Sequence, residues 1–108
     1  MGIRRTEVIM TVHELRCWPE FFAPLLSGEK TAELRYNDRD YQVGDILLLR
    51  EWEPKGEVYT GRECKRVVTH VLHGAGTVGV IAPLRGLSLK YVMLSLQEMG
   101  QAELWRAA

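Results

Sequence analysis

The residues most able to do chemistry lie in one short segment, residues 28–40, which reads GEKTAELRYNDRD. In an extended strand, consecutive side chains project to opposite faces. One face would then carry Thr31, Glu33 and Arg35, with Lys30 at its start. The other face would turn Ala32, Leu34 and Tyr36 toward a core. An acid beside a guanidinium and an ammonium offers hydrogen-bond acceptors and donors to a polar ligand. The alternative interpretation is a solvated strand face with a surface ion pair that contributes little energy.

A helix is predicted immediately before this segment. Trp18-Pro19 favours a helix start, since proline suits the first helical position, and Gly28 favours its end. Phe21 with Leu25, and Phe22 with Leu26, have the four-residue spacing of a helix face. Pro24 removes a hydrogen bond from a helix interior, so we expect a helix that is short, kinked or restarted there.

Extended patterns dominate the rest of the chain. Strands are predicted at residues 9–16, 31–36, 46–52, 63–72 and 89–96. The apolar run at 46–49 indicates a strand buried on both faces. Turn-forming residues occupy Asn37–Asp40 and Val43–Asp45. Strands without long intervening helices predict an α+β, mainly β fold, a small barrel of about five to six mostly antiparallel strands with one early helix.

The motif Gly28-x-Lys30-x-x-Glu33-x-Arg35 resembles the signature of the ASCH superfamily (activating signal cointegrator homology), whose fold is PUA-like. Further similarity to a short single-domain branch of bacteria and phages lies in residues 13–18, 37–45 and 59–63. The resemblance implies one PUA-like pseudo-barrel domain over residues 1–108, with a core at about 9–98 and tails at 1–8 and 99–108. It also implies binding of RNA or nucleosides and, in one branch, hydrolysis of acylated cytidine.

The residues expected to bind the ligand fall into three groups. A cleft is predicted to be lined by His13, Lys30, Thr31, Glu33, Arg35, Asn37 and Arg39. Trp18 and Tyr59 are candidates for stacking on a base. Arg62, Lys65 and Arg66 are candidates for contacts with phosphate. For His13, a hydrogen-bonded structural role is the alternative to a place in the site.

Charge limits the kind of nucleic-acid binding that we expect. The chain has 14 basic and 14 acidic residues, which argues against an indiscriminate electrostatic binder. Residues 58–97 are nevertheless basic, with Glu63 as their single acid. A local basic surface is thus compatible with a neutral chain, and the family resemblance implies an RNA, nucleoside or nucleotide partner. No apolar run approaches membrane-spanning length, so we expect a cytoplasmic protein without a membrane partner. The oligomeric state is left open.

Three classes of function stay open at this point. The preferred one is a binding module. The second is an enzyme, either an amidohydrolase of acylated cytidine or a ribonuclease, with Lys30 and Glu33 as catalytic residues. In the amidohydrolase branch, however, a threonine nucleophile stands where this chain has Glu33. The third is a protein-interacting accessory domain.

Neither a cofactor nor a metal ion is expected. The two cysteines, Cys17 and Cys64, could be combined with His70 and His73 into a metal site, but their spacing matches no standard zinc pattern.

Overall fold

The computed structural model describes residues 10–74 and 90–99. In chain order, the elements are β1 (Val12–Cys17), α1 (Pro19–Ser27), β2 (Ala32–Tyr36), β3 (Ile46–Glu53), β4 (Val58–His73) and β5 (Tyr91–Glu98). The strands form one sheet in the order β1-β3-β4-β5-β2, curled into a half-barrel and accompanied by the single helix. The predicted mainly β architecture is confirmed. The predicted tail at 1–8, and all but the first residue of the predicted tail at 99–108, lie outside the described residues.

The order of the strands decides where the site can form. β3, β4, β5 and β2 pair antiparallel to their neighbours, whereas β1 pairs with β3 in parallel. β1 and β2 are therefore the two edges of the sheet, and α1 lies between them in the chain. The parallel pair was not predicted. It requires a crossover between β1 and β3, which α1 and β2 supply.

The helix begins and ends where the sequence indicates. Trp18 is extended, and its carbonyl accepts the backbone N–H groups of Phe21 and Phe22, each at 2.9 Å. Gly28 has a φ of +89°, and its N–H donates to the carbonyl of Leu25 at 3.2 Å. That left-handed conformation suits glycine and ends the helix.

Pro24 lies inside this helix without dividing it. The expectation of a short helix is confirmed at nine residues, and the helix does not restart at Pro24. The buried side chains are Phe22 and Leu25, three residues apart, whereas Phe21 and Leu26 are exposed. Each of the two four-residue pairs therefore combines one buried and one exposed residue, because the short helix turns a narrow stripe to the core. Nine residues are far fewer than the roughly 20 that a membrane-spanning helix needs.

The core lies on the concave face of the sheet. Leu47 and Leu49 of β3, Val68 of β4, and Val92 and Leu94 of β5 are all fully buried. Each contributes roughly 1.5–3 kcal/mol relative to an exposed position. The expectation that β3 is buried on both faces is wrong for its outer face, where alternate residues are only half-buried.

Two arginines connect the edges of the half-barrel. Arg35 Nη2 donates to the carbonyl of Arg16 at 2.7 Å, and Arg39 Nη1 donates to the carbonyl of Glu14 at 3.2 Å. The two carbonyls are two residues apart on β1, so they point to the same side of the strand. Side chains from β2 and the turn after it thus satisfy backbone groups that an edge strand would otherwise leave unpaired. The gap between the edges leaves room for a cleft.

Candidate functional site

A cleft of about 680 Å³ opens between the end of β1, the start of α1 and strand β2. Its walls combine charged and apolar side chains, and the lining residues are Arg16, Cys17, Trp18, Phe21, Lys30, Ala32, Glu33, Leu34, Arg35, Tyr36 and Met93. It is of the size that small-molecule sites commonly have. The motif segment that the sequence singled out therefore provides one complete wall.

Three charged residues of this wall form a hydrogen-bonded group, which we call the Lys30–Glu33–Arg35 triad. Lys30 Nζ donates to Glu33 Oε1 at 2.6 Å and to the carbonyl of Ala32 at 2.5 Å. Arg35 Nε donates to Glu33 Oε2 at 2.9 Å, and Arg35 Nη2 forms an ion pair with the same oxygen at 2.7 Å. Only 7% of the Glu33 side chain is exposed, against 29% for Lys30 and 24% for Arg35. The carboxylate is thus held from two sides, while both cations stay partly accessible.

Strand β2 is turned the opposite way from the sequence expectation. Leu34 and Tyr36 are 52% and 51% exposed, whereas Glu33 is buried. Glu33 and Arg35 lie beside Leu94 and Val92 of β5, both of which face the core. The predicted burial of Leu34 is wrong because two cations neutralise Glu33. A paired and hydrogen-bonded carboxylate can occupy an inner position that hydrophobicity alone would give to leucine.

Three aromatic side chains, from α1 and the residue before it and from β2, also line the cleft. Trp18 and Phe21, at the start of α1, are 48% and 47% exposed, and Tyr36 at the end of β2 is similar. Large apolar side chains exposed together in a concave site indicate a binding surface more often than isolated ones do. These rings could accept a planar ligand by stacking.

A thiol lies at the base of the cleft. Burial, and next the negative charge of Glu33, raise the pKa of Cys17 to about 11. The thiol is therefore protonated near neutral pH and is a poor nucleophile. Burial also raises the pKa of Cys64.

His13 belongs to a separate cluster. Its Nε2 lies 2.8 Å from Asp45 Oδ2, both side chains are buried, and its ring packs 4.7 Å from that of Tyr41. Asp45 Oδ2 also accepts the backbone N–H of Gln42 at 3.0 Å. This geometry matches the structural alternative for His13, since it joins β1 to the turn before β3 and His13 does not line the cleft.

Tyr59 also lies outside the cleft, in a group we call the arginine–aromatic stack, formed by Arg16, Trp52, Tyr59 and Arg50. The guanidinium carbon of Arg16 is 3.9 Å from the ring centre of Trp52, and that of Arg50 is 3.9 Å from the ring centre of Tyr59. The two rings meet edge to face at 4.8 Å. Arg16 Nε donates to the Tyr59 hydroxyl at 3.3 Å. Tyr59 therefore contacts Arg16, a residue that lines the cleft, without lining the cleft itself.

The three predicted phosphate contacts have different environments. Arg62 binds Glu51 with two nitrogens, each at 2.9 Å, and these bonds lower the pKa of Glu51. Lys65 is exposed. Arg66 is buried and donates to the carbonyls of Leu25 and Lys65, at 2.7 and 2.8 Å.

A phosphate contact by Arg66 does not fit this burial. Instead, Arg66 places a positive charge at the C-terminal end of α1, whose last turn lacks a basic residue of its own.

The remaining sequence candidates surround the cleft without lining it. Thr31 and Asn37 are exposed at either end of β2, and Arg39 reaches β1 as described above. In contrast, sequence reasoning missed Arg16, Cys17 and Phe21. Strand alternation predicts that the side chains of Arg16 and Cys17 project to opposite faces of β1. It does not reveal that the end of this strand lies next to β2. Among residues 10–74 and 90–99, no three His, Cys, Asp or Glu side chains are arranged to hold a metal ion.

Comparison with known proteins gives two findings. The model of a family described as a domain of unknown function, DUF3850, matches residues 12–96. An uncharacterised 12.9 kDa protein in the 3′ region of GpA, from Escherichia phage P2, is 40% identical over 60 residues. This alignment covers 56% of the present chain and 53% of the phage protein, so the chain spans about half the length of that relative.

Proposed function

We propose that this chain, which belongs to the DUF3850 family, binds a nucleotide, most favourably as part of an RNA, in the cleft between β1 and β2. The observation that carries the proposal is the combination of the Lys30–Glu33–Arg35 triad with exposed aromatic side chains in the lining of one cleft. Single-stranded nucleotides are recognised by stacking of the base and hydrogen bonding to its edges. The resemblance of the motif to the ASCH superfamily, with its PUA-like fold, supports the same proposal.

Each side chain then has a defined task. Trp18 and Tyr36 offer faces for stacking on a base. Glu33 accepts hydrogen bonds, and Lys30 and Arg35 donate them, so both kinds of base-edge group can be satisfied. Glu33 also disfavours an unspecific polyanion, because an acid close to phosphates costs affinity unless the ligand donates a hydrogen bond to it.

The geometry favours binding over hydrolysis. Lys30 Nζ donates to Glu33 and to a backbone carbonyl, so it acts as a charged donor and not as a base. Thr31 does not line the cleft, and the Cys17 thiol is protonated near neutral pH. Hydrolysis of acylated cytidine, or cleavage of RNA, would need a nucleophile or base that these residues do not supply.

Calorimetric titration with nucleosides, nucleotides and short RNAs tests the proposal. We expect at least one RNA or nucleotide to bind, and Glu33→Gln to change which base is preferred more than the average affinity. Glu29→Gln is the matched control, because Glu29 is exposed and outside the cleft. Equal losses for every base would contradict the role of Glu33. Rapid release of acetate from acetylated cytidine, abolished by Lys30→Ala, would favour an enzyme. The absence of any nucleic-acid ligand would leave the accessory domain as the better explanation.

A further inference from the structure

We propose that Arg16 is the phosphate-binding residue of the cleft, and that the preferred ligand is therefore a nucleotide and not a nucleoside. The inference rests on the proposed function and names the ligand class more narrowly. It begins with the charges that line the cleft, which are those of Arg16, Lys30, Arg35 and Glu33. Three positive charges and one negative charge leave an excess of two. A terminal phosphate, on a nucleoside monophosphate or at the end of an RNA, carries about −1.5 to −2 charges at neutral pH and matches this excess. A phosphate inside an RNA chain, or a carboxylate, carries one negative charge and would compensate only half of it.

Arg16 differs from the two other cations in having no acidic partner. Lys30 and Arg35 both bind Glu33. Among residues 10–74 and 90–99, no carboxylate pairs with Arg16. Its side chain makes one hydrogen bond there, from Nε to the Tyr59 hydroxyl, so both terminal nitrogens can serve a ligand. The planar fork of arginine suits two oxygens of a phosphate.

The arginine–aromatic stack orients this guanidinium in advance. Trp52 supports one face at 3.9 Å, and the bond to Tyr59 fixes its rotation. Arginine loses much rotational freedom when it is immobilised, so a side chain that is already held binds its ligand at lower entropic cost. Trp52 and Tyr59, which lie outside the cleft, would thus contribute to phosphate binding by holding Arg16 in place.

Arg50 belongs to the same stack but, unlike Arg16, has acidic partners. It lies 3.9 Å from the ring centre of Tyr59, but it also pairs with Glu14 at 3.2 Å and with Glu63 at 3.5 Å. Its charge is compensated, and it does not line the cleft. Because Arg50 contacts Tyr59, which in turn holds Arg16, the control is Lys55→Gln, which removes one positive charge from an exposed residue outside the cleft.

Calorimetry with four nucleosides, their 5′- and 3′-monophosphates and inorganic phosphate tests the inference. We expect at least one monophosphate to bind at least about tenfold more tightly than its nucleoside. Arg16→Gln should abolish that preference, Arg16→Lys should retain part of it, and Lys55→Gln should retain all of it. Urea unfolding of each variant confirms that it is folded under the assay conditions.

The outcomes separate this inference from the proposed function. Equal binding of nucleoside and monophosphate, or a preference that survives in Arg16→Gln, would overturn the role of Arg16 while the cleft still binds nucleosides. Inorganic phosphate bound through Arg16, with no nucleoside or nucleotide bound, would support the phosphate site and refute the nucleotide. If none of the nucleosides, nucleotides or inorganic phosphate binds, both the role of Arg16 and the proposed function are overturned.

Discussion

Replacement of Glu33 by glutamine tests whether the triad stabilises the fold as well as the site. Glutamine has nearly the same shape, but it loses the negative charge and one acceptor oxygen. Two charged hydrogen bonds reach the Glu33 carboxylate, one from Lys30 and one from Arg35, and Arg35 Nη2 adds an ion pair at 2.7 Å. The substitution therefore leaves two neighbouring cations without their common partner.

The burial of Glu33 sets the size of the expected loss in the free energy of unfolding. Removing one partner of a buried ion pair costs about 3–5 kcal/mol. Here the carboxylate is buried, but the Lys30 and Arg35 side chains are 29% and 24% exposed, so water compensates part of the loss. We therefore expect the free energy of unfolding to fall by about 2–4 kcal/mol. At about 4 °C per kcal/mol for a chain of this size, Tm falls by roughly 8–16 °C.

Urea unfolding followed by tryptophan fluorescence measures this change, with Glu29→Gln as the control. Glu29 is exposed, and its carboxylate accepts one hydrogen bond from the Ser27 hydroxyl at 3.1 Å. The control should change stability by less than about 0.5 kcal/mol. A double-mutant cycle with Arg35→Met should give a coupling energy of about 1–3 kcal/mol. If Glu33→Gln costs no more than Glu29→Gln, the carboxylate is not held as described and the reasoning fails.

Three further predictions concern groups outside the triad. Arg66→Met should lower the free energy of unfolding by about 1.5–3 kcal/mol, because it removes one buried and one partly buried hydrogen bond. Lys65→Met, on the exposed side of the same strand, should change it little. Hydrogen bonds hold the pKa of Glu51 below its usual 4.5, so their stabilising effect is complete above that pH and is lost as the pH falls through the lower folded pKa. Urea unfolding should therefore show a smaller loss of stability on acidification for Glu51→Gln than for the unmodified protein. Because the Cys17 thiol is buried with a pKa of about 11, iodoacetamide at pH 8 should modify it far more slowly in the native than in the unfolded protein. Mass spectrometry measures both rates, and equal rates would contradict the buried position of Cys17.

Local interactions along the chain were sufficient to predict most elements. The helix boundaries follow from Pro19 and Gly28, whose backbone preferences act within a few residues. Turn-forming residues predicted the connection before β3, where Gly44 has a φ of +97° and Asp45 donates its N–H to the Gln42 carbonyl at 3.0 Å. The position of the charged wall was predicted in the same way, because Lys30, Glu33 and Arg35 are close in sequence.

Contacts between distant segments decided the rest. Hydrophobic alternation alone predicted that Leu34 points into the core. Glu33 occupies the inner face instead, because two cations and the opposite sheet edge stabilise its carboxylate there. Arg66 looks like a surface cation in sequence, and only the position of α1 above β4 makes it a buried donor to a helix carbonyl. Arg16 received no role in the sequence analysis, since its significance depends on two aromatic rings brought to it by β3 and β4. The sequence thus determined the local elements and one wall of the cleft, whereas side-chain environments depended on strand order, which no short-range pattern encodes.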